Sequence, residues 1–253
     1  MIYLCGGLKN LSVKNAGIVY GFMDGSLDFN PLNLTARKEL LNVIPAGPNK
    51  TGYYSYEVEQ SHGTHIAVLD EKFIETAKYN RNVFDKNNAD GVFTGESGIA
   101  LCIRTADCVP VLFAGLNNRG RIIGAVHCGW KGAYGGIIKN AKNILTDKFN
   151  ADVRDILIMI GPSICRKCYE VEEDFLNLFL AKDNLNRKFF QKTANKNKFF
   201  FDLKGFIKNE LILNGFSDKN IYDLNICNFE DAGFFSYRRD KDLRRQVSFI
   251  ALL

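Results

Sequence analysis

The chain has 253 residues, 46% of them hydrophobic and 24% charged, which supplies a substantial apolar core and excludes a chain disordered over most of its length. The formal net charge is +5. Its lysines and arginines are scattered, apart from a modest cluster over Arg238–Arg245, so no nucleic-acid partner is expected, whereas an anionic small substrate such as phosphate suits the charge.

The N-terminal apolar run Met1–Leu4 is too short for a signal peptide, and no stretch approaches the ~20 apolar residues of a membrane span. These features predict a cytoplasmic protein with no membrane partner and with reduced thiols. Seven cysteines, at positions 5, 102, 108, 128, 165, 168 and 227, are odd in number and irregularly spaced. They read as buried thiols, one or more of them ligands or nucleophiles, rather than as a disulfide framework.

No long linker interrupts the chain, which predicts a single domain over 1–253. In chain order, residues 53–58 and 65–69 read as strands around a turn at Ser61-His62-Gly63. Apolar, β-rich runs at 98–104 and 109–114 are split by Thr105-Ala106-Asp107-Cys108, and 121–127 forms another strand ending at Gly129-Trp130-Lys131-Gly132. Helical spacing of Ile137, Ile138, Ala141, Ile144 and Leu145 predicts a helix over about 134–149. A short buried strand at 155–160 precedes Gly161-Pro162, and 170–181 has a helical period. Then come a strand at 199–202, a helix at 204–214 closed by Gly215, and strands at 221–226 and 246–252. Strands cluster early and alternate with helices later. That order predicts an α+β (mixed α/β) fold of layered mixed sheets flanked by helices, since the early half has too few helices for parallel crossovers.

Only three histidines are present, His62, His65 and His127. His62 sits in a glycine-containing turn, and His127 ends a strand. Between them a polar Thr-Ala-Asp-Cys interrupts two apolar strands, which suits a cleft better than a core. His62, Cys108 and His127 form a sensible zinc triad with a fourth position open to water or substrate. Their separations of 46 and 19 residues contain no compact ligand pair, so spacing alone leaves open the alternative of structural histidines. His65 reads as a solvent-facing residue at a strand start. Cys165-x-x-Cys168 lacks a complete second pair, even with Cys227, and reads as two free loop thiols. Lys131, in a glycine-rich turn opening a helix, and Arg238 are candidate anion ligands, with surface charge the alternative for each.

Several segments, taken together and in order, resemble the YfiH-type laccase-domain family. They are Gln60-Ser-His-Gly-Thr, Ala89-Asp-Gly-Val-Phe-Thr, Thr105-Ala-Asp-Cys-Val-Pro-Val, Ala125-Val-His-Cys-Gly-Trp-Lys-Gly, Ile160-Gly-Pro-Ser-Ile with Tyr169-Glu-Val, and Phe235-Ser-Tyr-Arg-Arg-Asp. The resemblance covers roughly residues 55–250. It implies zinc on His62, Cys108 and His127, and phosphorolysis of purine nucleosides (adenosine, inosine and S-methyl-5′-thioadenosine), with purine nucleoside and phosphate as the small-molecule partners. Adenosine deamination, polyphenol oxidation with copper and a peptidoglycan-editing role are also attributed to the family. Two departures stand out: Cys128 lies where the family has a small residue, and the N-terminal region is shortened, leaving Ala36-Arg37 as a partial match to a segment ending in Asn-Arg. Arg37 is on that basis a candidate substrate contact.

Three histidines cannot furnish a blue-copper centre and a trinuclear cluster, which excludes a multicopper laccase and leaves at most a single copper. Met159, in an apolar run, reads as core rather than as an axial ligand. For a zinc enzyme, Asp107 is the candidate proton shuttle in deamination, and Lys131 and Arg238 the phosphate ligands in phosphorolysis. The metal-free alternative is a cysteine hydrolase with Cys108 as nucleophile and His127 as base.

Overall fold

The computed structural model describes residues 2–3, 17–29, 33–43, 54–73, 82–117 and 120–252. Cys5 lies outside them. Two six-stranded mixed sheets stack face to face. The first contains β1 (Ile2–Tyr3), β2 (Ile18–Met23), β3 (Tyr54–Glu59), β5 (Asn82–Asn88), β7 (Ile99–Thr105) and β15 (Gln246–Leu252), in the order β1-β2-β15-β7-β3-β5. The second contains β4 (Ala67–Leu69), β6 (Gly91–Thr94), β8 (Val109–Asn117), β9 (Gly120–Cys128), β10 (Leu157–Ile160) and β14 (Ile221–Asp223), in the order β14-β10-β8-β9-β6-β4. Between the sheets, Tyr56, Leu101, Ile103, Leu112, Ile123 and Ile250 share one core. Met159 belongs to it and is 3% exposed, in agreement with its apolar run.

Both sheets are buried on two faces, which explains the near-continuous apolar runs of β7, β8, β9 and β15. The outer face of the first sheet packs Ala100, Cys102 and Phe249 against Ala36 and Leu40 of α1 (Leu34–Val43). The outer face of the second is covered by α2 (Trp130–Gly135), α3 (Ile137–Asp147), α4 (Glu173–Lys182) and α5 (Leu203–Leu213). A three-stranded sheet of β11 (Glu170–Glu172), β12 (Phe190–Lys192) and β13 (Lys198–Phe201) adds an aromatic cluster built on Phe175, Phe179, Phe190, Phe201 and Phe206. A last helical turn, α6, spans Tyr237–Asp240.

The mixed, layered architecture agrees with the sequence expectation, while two local readings need correction. The strands expected around Ser61–Gly63 are present at 54–59 and 67–69, and they belong to different sheets, so the turn carries the chain from one sheet to the other. The helix expected over 134–149 begins earlier and is broken at Gly136, whose φ of 96° lies in the left-handed region that favours glycine. Residues 170–172 are a strand before α4, because Val171 is held by antiparallel pairing with Phe199.

Candidate metal centre and its cavity

Among the described residues three passages lead from the first sheet to the second, β3 to β4, β5 to β6 and β7 to β8, and two of them carry cluster residues to the same end of the sandwich. The passage from β3 to β4 carries His62, and that from β7 to β8 carries Cys108. Each is a tight reversal with a non-glycine residue at positive φ: His62 at 61° and Asp107 at 98°. Strain of this kind persists where the surroundings over-determine it, and here it aims two side chains at one point. The third member arrives from the neighbouring strand: His127 pairs in register with Pro110, two residues from Cys108. The ligand atoms of His62, Cys108 and His127 lie within 4.8 Å of one another, and the two imidazole rings meet edge to face at 4.7 Å.

Gly129 makes this approach possible. A Cβ there would lie 2.7 Å from His62 Cδ2 and 3.2 Å from Cys108 Sγ. At Gly132 a Cβ would lie 2.5 Å from the carbonyl oxygen of Gly63, so this glycine lets α2 close on the His62 turn.

Asp90 organises the cluster and is fully buried. Its carboxylate accepts from the backbone N–H of Ser61 (3.2 Å), His62 (2.9 Å) and Gly63 (2.6 Å), from Ser61 Oγ (3.2 Å) and from His127 Nδ1 (2.7 Å). Holding Nδ1 as the donor leaves Nε2 of His127 as the atom that would bind a metal, the carboxylate–histidine arrangement that fixes ligand tautomer and orientation. Burial alone would raise the Asp90 pKa, but the bonds from His127 and from the turn prevail and lower it. Sequence reasoning missed this role. The available signal was an aspartate lodged in the apolar run Ala89–Phe93.

Burial pushes the Cys108 thiol up, yet the charge on His127 and hydrogen bonds from His127 and His62 outweigh it and bring the pKa to about 6. Desolvation lowers the His127 pKa, but the thiolate and Asp90 reverse the effect and raise it to about 9. Cys128, buried on the far side of the strand pleat, is pushed up by desolvation and remains a thiol. The donor set therefore fits a metal ion: a ready thiolate, two imidazoles and glycine-lined clearance. By ligand type it suits zinc or copper, not magnesium or calcium.

The triad lies in the wall of a cavity of about 630 Å³. Trp130 and Tyr169 supply aromatic faces, while Arg104, Arg238, Lys241 and Arg245 supply positive charge against one acidic side chain in the lining, Asp107. The Arg238 guanidinium stacks on Tyr169 at 5.1 Å and donates to the Glu170 carbonyl oxygen at 3.0 Å. Of these cations, only Arg238 was singled out from the sequence. Arg104 directly precedes the Thr105–Val111 segment, and Lys241 and Arg245 belong to the basic cluster over Arg238–Arg245, but nothing in their spacing sets them apart from ordinary surface charges.

Asp107 lies in the lining, but both of its oxygens are engaged. Oδ1 accepts from Ser236 Oγ at 2.7 Å and Oδ2 from the Arg238 backbone N–H at 2.6 Å. It pins the segment bearing Arg238, a role distinct from the expected proton shuttle. Lys131 is exposed, sits 5.7 Å over the Trp130 ring and is absent from the lining. Arg37 is 2% exposed and forms a two-pronged ion pair with Glu57, Nε to Oε1 at 2.6 Å and Nη2 to Oε2 at 2.8 Å. The expected substrate contact from Arg37 is thus replaced by a buried pair, because an arginine on the inner face of α1 requires a carboxylate partner there. His65 is exposed, as its position implied, with Nδ1 2.8 Å from the Asn88 carbonyl oxygen.

Residues 37–253 match the family model described as multi-copper polyphenol oxidoreductase laccase. A purine nucleoside phosphorylase of Rickettsia conorii is 32% identical over 215 residues, covering 82% of this chain and 83% of that protein. One of Campylobacter jejuni is 34% identical over 196 residues, 77% of this chain and 76% of that protein. An adenosine deaminase from an unknown prokaryotic organism is 31% identical over 182 residues, 71% of this chain and 68% of that protein. The fold is similar to the crystal structure of the hypothetical protein YfiH of Bacillus licheniformis, with a TM-score of 0.77, 23% identity and 93% of each chain covered.

Proposed function

Given that the chain belongs to the laccase-domain family of YfiH-type proteins, we propose that it is a zinc-dependent purine nucleoside phosphorylase acting on adenosine, inosine and S-methyl-5′-thioadenosine, with adenosine deamination as a second activity. The observation that carries this reading is the meeting, in one cavity, of the His62–Cys108–His127 triad with four cationic side chains and the aromatic rings of Trp130, Tyr169 and Tyr237. Phosphorolysis needs a bound anion beside a flat heterocycle, and the lining offers both.

Zinc held by the triad would supply a Lewis acid with one open coordination position. The rest of the work falls to the chain. Arg238, already fixed by Tyr169 and Glu170, holds a phosphate oxygen, and Arg104 and Arg245 complete a positive wall around it. Trp130 and Tyr169 offer faces on which a purine can stack. A phosphate oxygen then attacks the anomeric carbon, the bond from that carbon to the purine nitrogen breaks, and the departing base takes up the proton that the hydrogen phosphate gives up. Asp107 keeps Arg238 in place throughout. His127 is kept in one tautomer by Asp90.

A second reading is favoured by the polarisation of Cys108 and His127, which is also that of a cysteine nucleophile with its base. A cysteine hydrolase would keep its activity in a strong chelator and lose it to a thiol alkylator, whereas the zinc enzyme loses activity to both. The direct test is to supply adenosine with and without phosphate and to identify the products. Adenine with ribose 1-phosphate, formed only when phosphate is present, supports phosphorolysis. Inosine alone reduces the reading to deamination, and neither product overturns it.

A further inference from the structure

A second group of ligand-type side chains lies outside the cavity. Cys165, Cys168, Cys227 and Glu230 bring three thiols and a carboxylate together, with their ligand atoms within 4.8 Å of one another. We propose that these four residues form a closed structural site for a zinc-type thiophilic cation.

The spacing alone conceals it. Cys165-x-x-Cys168 is a familiar half-site, and its complement is Cys227-x-x-Glu230, the same spacing with a carboxylate in place of the fourth cysteine. Both halves are turns that offer their side chains to one side. In the first, a short 3-10 turn over Arg166–Cys168 is closed by the Cys168 N–H donating to the Cys165 carbonyl oxygen at 3.1 Å. In the second, the Asp231 N–H donates to the Cys227 carbonyl oxygen at 3.0 Å. A bridge between Ser163 and Cys227 zips the two turns together, and it is extended by hydrogen bonds from Ser163 N–H to the Ile226 carbonyl oxygen and from Asn228 N–H to that of Ser163.

The sulfur geometry is that of a metal-binding turn. Cys165 Sγ lies 3.5 Å from Cys168 Sγ. A tetrahedral zinc with bonds of about 2.3 Å holds its sulfur ligands roughly 3.8 Å apart, so only a small adjustment admits the ion. The Cys165 backbone N–H points at Cys227 Sγ at 3.3 Å, an arrangement that supports a thiolate. Four protein ligands leave no open position, which fits a cross-link rather than a reaction centre. What it joins is specific. Ile164 and Tyr169, on either side of the first turn, line the cavity, and Cys227–Glu230 leads into the segment carrying Ser236 and Arg238. The clamp ties the two chain segments that meet at the Tyr169–Arg238 stack.

The test is metal analysis of full-length protein purified under reducing conditions. Wild type should carry about two zinc ions per chain, one at each site. Cys227→Ser and the milder Glu230→Ala should each reduce this to about one, with the remaining ion lost on Cys108→Ser. A cobalt titration of Cys108→Ser protein gives an independent readout, since this variant removes the cavity thiolate. Intense sulfur-to-cobalt charge-transfer absorption that disappears in the Cys108→Ser, Cys227→Ser double variant is expected. One zinc in wild type that Cys108→Ser removes entirely, no charge-transfer band in that variant, or a Cys165–Cys168 disulfide in the reduced preparation would overturn the proposal. None of these readouts depends on which reaction the cavity performs.

Discussion

The His62–Cys108–His127 cluster and the Cys165–Cys168–Cys227–Glu230 cluster use the same classes of ligand atom in opposite settings. The first has three ligands delivered by sheet crossings and a strand end, braced by the buried carboxylate of Asp90 and open to a cavity of about 630 Å³. The second has four ligands on two short surface turns, one of them the exposed Glu230, and none of the four lines the cavity. Ligand count and surroundings, more than ligand identity, separate a site that can take a substrate from one that can only join loops.

The difference can be broken by substitution. Cys108→Ser should lower phosphorolysis by about a thousandfold, roughly 4 kcal/mol of transition-state stabilisation, whereas Cys227→Ser should lower it by less than about tenfold. Steady-state rates on the two purified variants check this, and equal losses would erase the distinction between the two sites. Asp90→Asn should cost about 3 kcal/mol in urea unfolding and weaken zinc binding at the cavity by ~10–100-fold in a chelator competition, while leaving the second site loaded.

Arg238→Met tests the cationic wall. It should raise the KM for phosphate by about tenfold, the value of one charged hydrogen bond, and leave phosphate-independent deamination unchanged. Titration of the metal-stripped protein with iodoacetamide, read residue by residue by mass spectrometry, compares the thiols directly. Cys108 should become reactive as pH rises through about 6, because His127 and His62 stabilise its thiolate against the desolvation that opposes it. Cys165 and Cys168 should react only at alkaline pH, since desolvation and the crowding of neighbouring thiols push both upward. The smallest effect is expected at Lys131, which is exposed and outside the lining. Lys131→Ala should change kcat/KM by no more than about twofold.

Much of this was legible in the sequence where a single physical cause dominated. Strands buried on both faces appear as apolar runs, so β7, β8, β9 and β15 were placed within a few residues. The polar break at Thr105–Cys108 marked a crossing with chemistry on it. The parts that escaped depend on contacts distant along the chain. β5 reads Asn-Val-Phe-Asp-Lys-Asn-Asn, with no apolar alternation, and is a strand because it pairs in parallel with β3. Asp90 acquires its role only when Ser61–Gly63 and His127 fold onto it. Glu230 is anonymous among surface acids until Cys227 meets Cys165. Arg37 matched part of a motif, but α1 packs it against Glu57 and away from the cavity.

Inosine has no 6-amino group and so isolates phosphorolysis from deamination. Wild-type protein incubated with inosine and phosphate should release hypoxanthine and ribose 1-phosphate in equal amounts, and should release neither when phosphate is withheld or when Cys108 is replaced by serine. Hypoxanthine formed at the same rate without phosphate, or formed undiminished by Cys108→Ser, would contradict the account.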